Sequence, residues 1–416
     1  MSYRKSLLLV ALTLAAGSVR ADEWPKWRGP NGDGISHETG LLDKWPDEGP
    51  KKLWSAKVGL GFSSPIGNDG KIYLLSQDGN QEGLQCFDAD TGKVVWVQSS
   101  SGGYPNNDYP GARATPTIDG KFIYTFGGGG DLICRDLDTG KEVWRDNILQ
   151  KTHSKLNHWG QASSPLVTDK AVYVQCGEGG PIAVAVDKTN GNIGWTSQFS
   201  GNSGYAAPVL MDVGGTQELL VFAGDALFGL NPETGKTLWT TPWRTQYGVN
   251  AGSPIVKDDK IFVSSGYGQG AGQFQVTPTG LKPVWTTKEV DCKFNPAILD
   301  NGYLYCNSED HNGKLKCLDW NTGKVTSSAT GRTMMLGFGG SFVRDGDKLY
   351  ALSQSGTLSL MSATPQEFKL ISQAQVFDAG YAQVWSTPLI YHGRLYAKGQ
   401  NELVCLDISA KPGTPQ

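Results

Sequence analysis

The feature that most constrains this chain is a segment that it repeats. "CFDADTGKVVW" occupies 86–96 and "CRDLDTGKEVW" 134–144. "AVDKTNGNIGW" follows at 185–195, "GLNPETGKTLW" at 229–239 and "CLDWNTGKVTS" at 317–327, where Ser327 takes the tryptophan position. A second landmark keeps the same beat: two small residues, a proline and an apolar run. It reads "SSPIG" at 63, "ATPTI" at 114, "SSPLV" at 163, "AAPVL" at 206, "GSPIV" at 252, "FNPAI" at 294 and "STPLI" at 386. An eighth copy, "GSFVRDGDKLYAL" at 340, carries Phe342 instead of proline. From Pro65 to Pro388 the mean spacing is about 46 residues, which suits four short strands and their turns.

Inside a unit the strands are legible as "KIYLLS", "GLQCFDAD" and "TGKVVWVQ". Aromatic and β-branched residues alternate between Gly, Asn and Asp turns, as hairpins require. The expected fold is all-β: an eight-bladed β-propeller of four-stranded blades. Each blade packs on its neighbours, so 416 residues fit one closed array. The last unit ends at "ELVCLDISA", 402–410, without a tryptophan strand, and "KKLWSAKV" near the start supplies a spare one with Trp54. Lys51 precedes Trp54 by three residues, as Lys93 precedes Trp96. The N-terminal strand is therefore expected to complete the eighth blade and remove free sheet edges.

The same logic strips the motif of catalytic meaning. Asp136 opens a tight turn and accepts backbone N–H bonds, Gly140 supplies a positive φ, and Trp144 packs on the next unit. One aspartate per repeat, spread around a ring, cannot converge on a metal. The slot of Cys86, Cys134, Cys317 and Cys405 holds Ala185 and Gly229 elsewhere, so it selects a small residue. Equivalent slots of neighbouring units are too distant for a disulfide, which needs Cα atoms within about 7 Å. Cys176, Cys292 and Cys306 read as isolated, and the seven cysteines include no adjacent pair and no C-x-x-C.

The chain opens like an export signal: Arg4 and Lys5, an apolar run from Leu7 to Ala16, and Val19-Arg20-Ala21 at the cleavage positions. That core is too short to span a bilayer. The division expected is a signal peptide at 1–21, an N-terminal extension at 22–50, the propeller at 51–410 and a tail at 411–416. The place expected is the periplasm or outside the cell, with no transmembrane span. Losing Arg4, Lys5 and Arg20 moves the formal charge from −3 to −6, the wrong sign for a nucleic-acid partner. A monomer is expected.

The pattern A-x-D-x-x-T-G-K-x-x-W resembles the tryptophan-docking repeat of pyrroloquinoline-quinone (PQQ) enzymes. It equally resembles that of their non-enzymatic relatives, among them the outer-membrane assembly lipoprotein BamB. The resemblance covers about residues 51 to 410, and "EWPKWRGPNGDGIS" at 23–36 is similar to the start of exported PQQ-like repeat proteins. The enzymes hold PQQ on the central axis, above a tryptophan and beneath a vicinal disulfide, with a calcium or lanthanide ion and an aspartate base. This chain lacks the vicinal cysteines, and neither base nor metal ligands carry over onto its positions. A BamB-type lipoprotein needs cysteine after the cleavage site, where this chain has Asp22.

A propeller's site lies at the mouth built by the loops that approach each innermost strand. The two longest, 97–114 and 145–162, bring Tyr104, Asn107, Asp108, Tyr109, Arg113, His158, Trp159 and Gln161. The others bring Phe62, Tyr205, Asn250, Lys293, Phe338 and Trp385. Arg113, Trp159, Gln161, Asn250, Lys293 and Trp385 are the candidate lining for a cofactor. Arg113 and Lys293 suit an anionic ligand such as the carboxylates of PQQ, with pairing of Arg113 to Asp108 as the alternative. Trp159 or Trp385 either stacks on a flat cofactor or plugs the channel. His153 and His158 have no Cys or His partner for a metal; "NSEDHNG", 307–313, reads as a solvated turn rather than a calcium loop; "GGGGD", 127–131, precedes a strand and is no phosphate loop.

Two function classes follow: a binding or scaffold propeller taking a small molecule or a protein at its mouth, and a PQQ- and calcium-dependent oxidoreductase of an alcohol or sugar. A hydrolase using Asp108, His158 or Asp378 as base has no supporting spacing. An apolar mouth argues for a protein partner. A deep polar mouth with converging Asp, Asn and Arg argues for the cofactor.

Overall fold

The computed structural model describes residues 23–104, 109–277, 280–378 and 383–410; the expected signal peptide, the tail and the mouth residues Asn107 and Asp108 lie outside these. Eight four-stranded antiparallel units form the expected propeller. In blade 1 the strands are Ile66–Asn68, Lys71–Asp78, Gln81–Asp88 and Val94–Gly102, innermost first. The innermost strands of blades 2 to 8 are Thr117–Asp119, Leu166–Val167, Val209–Val213, Ile255–Lys257, Ile298–Asp300, Ser341–Asp345 and Leu389–Tyr391. Hydrogen bonds cross from blade to blade just ahead of these strands: Thr387 N to Ser64 Oγ at 2.9 Å, Ser64 N to Thr115 Oγ1 at 3.1 Å, and Thr115 N to Ser164 Oγ at 2.9 Å. Around blades 8, 1, 2 and 3 the small residues before proline thus supply closeness and a hydroxyl that couples neighbouring blades.

Closure follows the sequence expectation. Strand Lys51–Lys57 pairs antiparallel with Glu402–Asp407, placing Trp54 opposite Cys405 as Trp96 lies opposite Cys86. Chain start and chain end therefore share one sheet, and no blade is left three-stranded.

The repeat glycine has a double duty. Gly140 has φ +67°, and a Cβ there would stand 2.7 Å from the Trp96 ring. Gly92 receives Trp54, Gly191 receives Trp144, Gly235 receives Trp195 and Gly323 receives Trp285 in the same way. Four of these five tryptophans also donate the indole N–H to a carbonyl three residues before the glycine: Trp54 to Ala89 at 3.0 Å, Trp144 to Lys188 at 2.9 Å, Trp195 to Pro232 at 2.9 Å and Trp285 to Trp320 at 3.0 Å. The turn aspartate is structural too. Asp136 accepts from Thr139 N and Oγ1, at 2.9 and 2.7 Å, and those bonds hold its carboxyl below the usual range. Where the motif decays the docking changes. Trp239 turns to Glu218 Oε2 at 2.6 Å, and Ser327 keeps only a hydroxyl bond to Thr364 O at 3.2 Å.

The N-terminal extension does more than lead into the propeller. Trp24 exchanges two backbone hydrogen bonds with Gly67 of blade 1, and Pro25 O accepts from Ile118 N of blade 2. Arg28 is buried and donates to Pro296 O at 3.0 Å and Ala297 O at 2.7 Å, both in blade 6. Blades 1 and 6 stand three places apart around a ring of eight, so the segment between Trp24 and Arg28 crosses close to the axis. It then adds Ile35–Ser36 as a fifth, parallel strand beside Arg344 and Asp345 of blade 7. Trp45, 1% exposed, seats the remainder against Tyr350.

Candidate functional site: an aromatic cavity on the axis

The mouth is held in shape from behind. A polar residue at the end of a blade's second strand reaches the backbone of the connection beside it. Gln175 Nε2 donates to Ala206 O at 2.8 Å and its Oε1 accepts from Gly204 N at 2.7 Å; Asn307 Nδ2 donates to Gly340 O at 2.7 Å. Lys398 does this with a cation. It is fully buried, donates to Gly61 O, Gly399 O and Gln400 O at 2.7, 2.9 and 3.2 Å, and burial pushes its ammonium down to about 7. Glu309 works in reverse. Its buried Oε1 accepts from the N–H groups of Lys293, Phe294 and Asn295, and Oε2 from Gly339 N. Burial raises that carboxyl to about 7, against the pull of those four donors.

In six of the eight blades the residue three positions before the proline faces the axis. Phe62, Arg113, Ala162, Tyr205, Ala251 and Trp385 all line a central cavity of about 230 Å³. Nine of its seventeen lining residues are aromatic. The lining is lopsided. Phe62 and Phe294 stack on Trp385 with centroids at 4.6 and 5.1 Å, Tyr109 stacks at 5.5 Å, and Phe338 meets it edge-on at 5.4 Å. Blades 3 to 5 offer Ala162, Ala207 and Ala251 instead, and these small side chains leave the volume that rings fill on the other side. Trp159, Tyr205 and Tyr267 wall that open part. Trp27 lines it from the opposite end, because its neighbours Trp24 and Pro25 bond to Gly67 and Ile118, beyond the prolines. The N-terminal extension thus floors the channel.

Of the six candidate residues, Arg113, Trp159 and Trp385 line the cavity. Arg113 donates to Gly111 O at 2.7 Å and Tyr109 O at 2.6 Å, and its guanidinium lies 4.9 Å from the Tyr104 ring and 5.5 Å from that of Phe62. Burial lowers its pKa to about 10, opposed by Tyr104 and Glu82. Glu82 is itself buried, accepts from Gly128 N at 3.0 Å, and is raised to about 7 by that burial.

Gln161, Asn250 and Lys293 are not among the residues that line this cavity; they pack in the wall around it. Gln161 and Asn250 stand four residues before their prolines, one out of register with the lining position. Asn250 is fully buried, donates to Ala223 O, Gly224 O and Trp243 O, and accepts from Ser265 Oγ at 2.7 Å. Gln161 Oε1 accepts from Asn157 Nδ2 at 3.3 Å behind Ala162. Lys293 has the right register, but Glu309 turns its connection so that Phe294 and Asn295 face inward. Its ammonium packs 3.7 Å from the Tyr267 centroid and 4.1 Å from that of Phe338. Trp27 and Tyr267 were missed: one lies outside the repeat, and the other, in "GYGQG", follows a second strand rather than preceding a first.

Among the described residues the lining offers no carboxylate; its side-chain oxygen and amide groups come from Thr115, Ser164, Asn295 and the tyrosines. Among the described residues no three His, Cys, Asp or Glu side chains gather as a metal site. A calcium ion wants six to eight oxygens with carboxylates among them, and the described lining residues do not by themselves supply that set. In the acidic turn, Asp291 Oδ1 is taken up by Ser308 Oγ and His311 Nδ1, the latter at 3.3 Å. His158 packs edge-on against Trp159 at 4.5 Å, and Asp378 is exposed.

The sequence profile described as "Outer membrane protein assembly factor BamB" matches residues 37–152 and 80–329, more than half the chain. The chain belongs to the BamB family. The outer membrane protein assembly factor BamB of Yersinia pestis is 24% identical over 314 residues, 72% of this chain and 74% of that protein. Its namesake from Burkholderia pseudomallei (strain K96243) is 28% identical over 194 residues, 45% of this chain and 47% of that one. The crystal structure of BamB from Moraxella catarrhalis superposes with a TM-score of 0.63 at 17% identity, covering 88% of this chain and 99% of that one. The quinohemoprotein alcohol dehydrogenase of Comamonas testosteroni gives 0.69 at 14% identity, covering 95% and 82%. These two structural likenesses show the propeller fold that BamB and the quinoproteins share. No helix among the described residues is long and apolar enough to cross a membrane.

Proposed function

We propose that this protein is a BamB-like binding propeller, exported to the periplasm or beyond, that receives an apolar side chain of a protein partner in its axial cavity. The observation that carries this reading is the lining: nine aromatic residues, Trp27 of the floor among them, and no carboxylate among the described residues. An aromatic slot that buries a partner's side chain supplies hydrophobic area, while the polar rim fixes orientation. The relatives' name, outer membrane protein assembly factor, fits a protein partner. Tyr247 adds to the reading: it is 67% exposed at the rim, with its ring 6.1 Å from Trp159.

A photo-crosslinking residue in place of Tyr247, in cells that make the protein, tests this. The expected result is a discrete protein adduct that Trp159→Ala removes and that the same probe at exposed Asp212 does not give. The oxidoreductase alternative draws on the quinohemoprotein likeness and on Arg113. It predicts saturable PQQ binding that calcium strengthens. PQQ binding with no protein adduct overturns the scaffold reading.

A further inference from the structure

All seven cysteines are buried, but their surroundings divide them. Cys86, Cys134, Cys317 and Cys405 sit against the tyrosines opposite them in register, Tyr73, Tyr124, Tyr305 and Tyr396. Cys176 has the Thr152 hydroxyl. Cys292 and Cys306 share one apolar cluster with Phe262, Leu304, Leu318 and Trp320, on segments that meet where Glu309 N donates to Asp291 O at 3.2 Å. The sequence reading that isolated them is thereby corrected. We propose that Cys292 and Cys306 are a redox pair that closes to a disulfide and locks the blade 6 wall of the axial cavity.

The placement gives the bond a purpose. Cys306 lies on the second strand of blade 6, Tyr303–Ser308. Cys292 lies on the connection from blade 5, its N–H donating to Ser264 Oγ at 2.8 Å. Phe294 and Asn295, just beyond Cys292, line the cavity. Glu309, just beyond Cys306, already holds the N–H groups of 293 to 295. A disulfide therefore ties covalently two segments that otherwise meet through hydrogen bonds of Glu309 and Asp291.

The oxidant is a small or protein disulfide of the glutathione class. The Cys292 thiolate attacks one of its sulfurs, forming a mixed disulfide and expelling one thiolate. The Cys306 sulfur then attacks Cys292 and expels the second. Two electrons and two protons pass to the oxidant, which leaves as two thiols.

The test is refolding of the full chain in reduced and oxidised glutathione, then denaturation, iodoacetamide treatment and trypsin. Cleavage after Lys293 separates the two cysteines into peptides 289–293 and 294–314. The expected result is five alkylated cysteines out of seven and a linked 289–293/294–314 pair that reduction splits. Amide exchange at 293 to 295 is expected to slow at least about tenfold in the linked form. Cys306→Ala is expected to give six alkylated thiols and no linked pair. Seven alkylated cysteines in the wild type, or a linkage through any other cysteine, overturns the pair. Unchanged exchange in the linked protein overturns the lock.

Discussion

Two alanine substitutions separate the two duties of the repeat glycine. Gly70 and Gly140 both have φ +67°, yet a Cβ at Gly70 meets nothing within 4 Å, whereas one at Gly140 stands 2.7 Å from Trp96. Holding an alanine in the left-handed region costs about 1–2 kcal/mol, so that is the whole expected loss for Gly70→Ala. Gly140→Ala adds the displacement of a packed indole, an overpacking cost of about 1–3 kcal/mol. Urea midpoints, converted with one common m-value, measure the difference. The expected order is wild type, then Gly70→Ala, then Gly140→Ala, with the second gap at least as large as the first. Gly92→Ala and Gly191→Ala should track Gly140→Ala, because Trp54 and Trp144 stand over them at 2.5 and 2.8 Å. Equal losses for Gly70→Ala and Gly140→Ala would show that tryptophan docking contributes nothing beyond turn geometry, and the account of blade-to-blade packing given above would fail.

Other perturbations probe the axis. Lys398 titrates near 7 when folded against 10.5 unfolded, so the unfolded chain binds the extra proton between those values, and stability rises with pH across that window. Relative to Lys398→Met, wild-type stability is expected to climb by up to about 5 kcal/mol from pH 7 to 10.5, and parallel pH–stability curves would refute it. Glu309 has the opposite sign. Raised to about 7 from 4.5, it binds its proton in the folded state, so its contribution is lost as pH rises between those values. The wild type should therefore weaken relative to Glu309→Gln over pH 4.5 to 7 in the same assay. Asn250→Ala leaves three carbonyls and Ser265 without their partner and is expected to cost about 2–3 kcal/mol in denaturation midpoint, while leaving ligand contacts in place. Trp385→Ala removes the ring on which Phe62, Phe294 and Tyr109 stack and is expected to cost about 3 kcal/mol. Its mouth crosslink should also fall, and a crosslink of wild-type strength would place the partner elsewhere.

The architecture was readable because a propeller repeats one local solution. The turn aspartate, the glycine and the tryptophan act within a unit or on the next one, so their spacing along the chain carries their meaning. The missing tryptophan strand of the last unit and the spare Trp54 at the start state in the sequence how the ring closes. The mouth was readable only to within a residue. Position along a loop does not state which way a side chain points, so Gln161 and Asn250, one step out of register, read as lining and proved to be wall. Lys293, in the right register, was turned aside by Glu309, a carboxyl that is in contact only after blade 6 has folded. Three things were settled by the tertiary structure alone. Trp27 became the floor because Arg28 found its carbonyl acceptors in blade 6, some 270 residues away. Cys292 and Cys306 became neighbours because a strand and a connection pack side by side. The cavity opened beside blades 3 to 5 because alanines face rings across the axis. Each is a contact between segments distant in the chain, and no local pattern of residues encodes it.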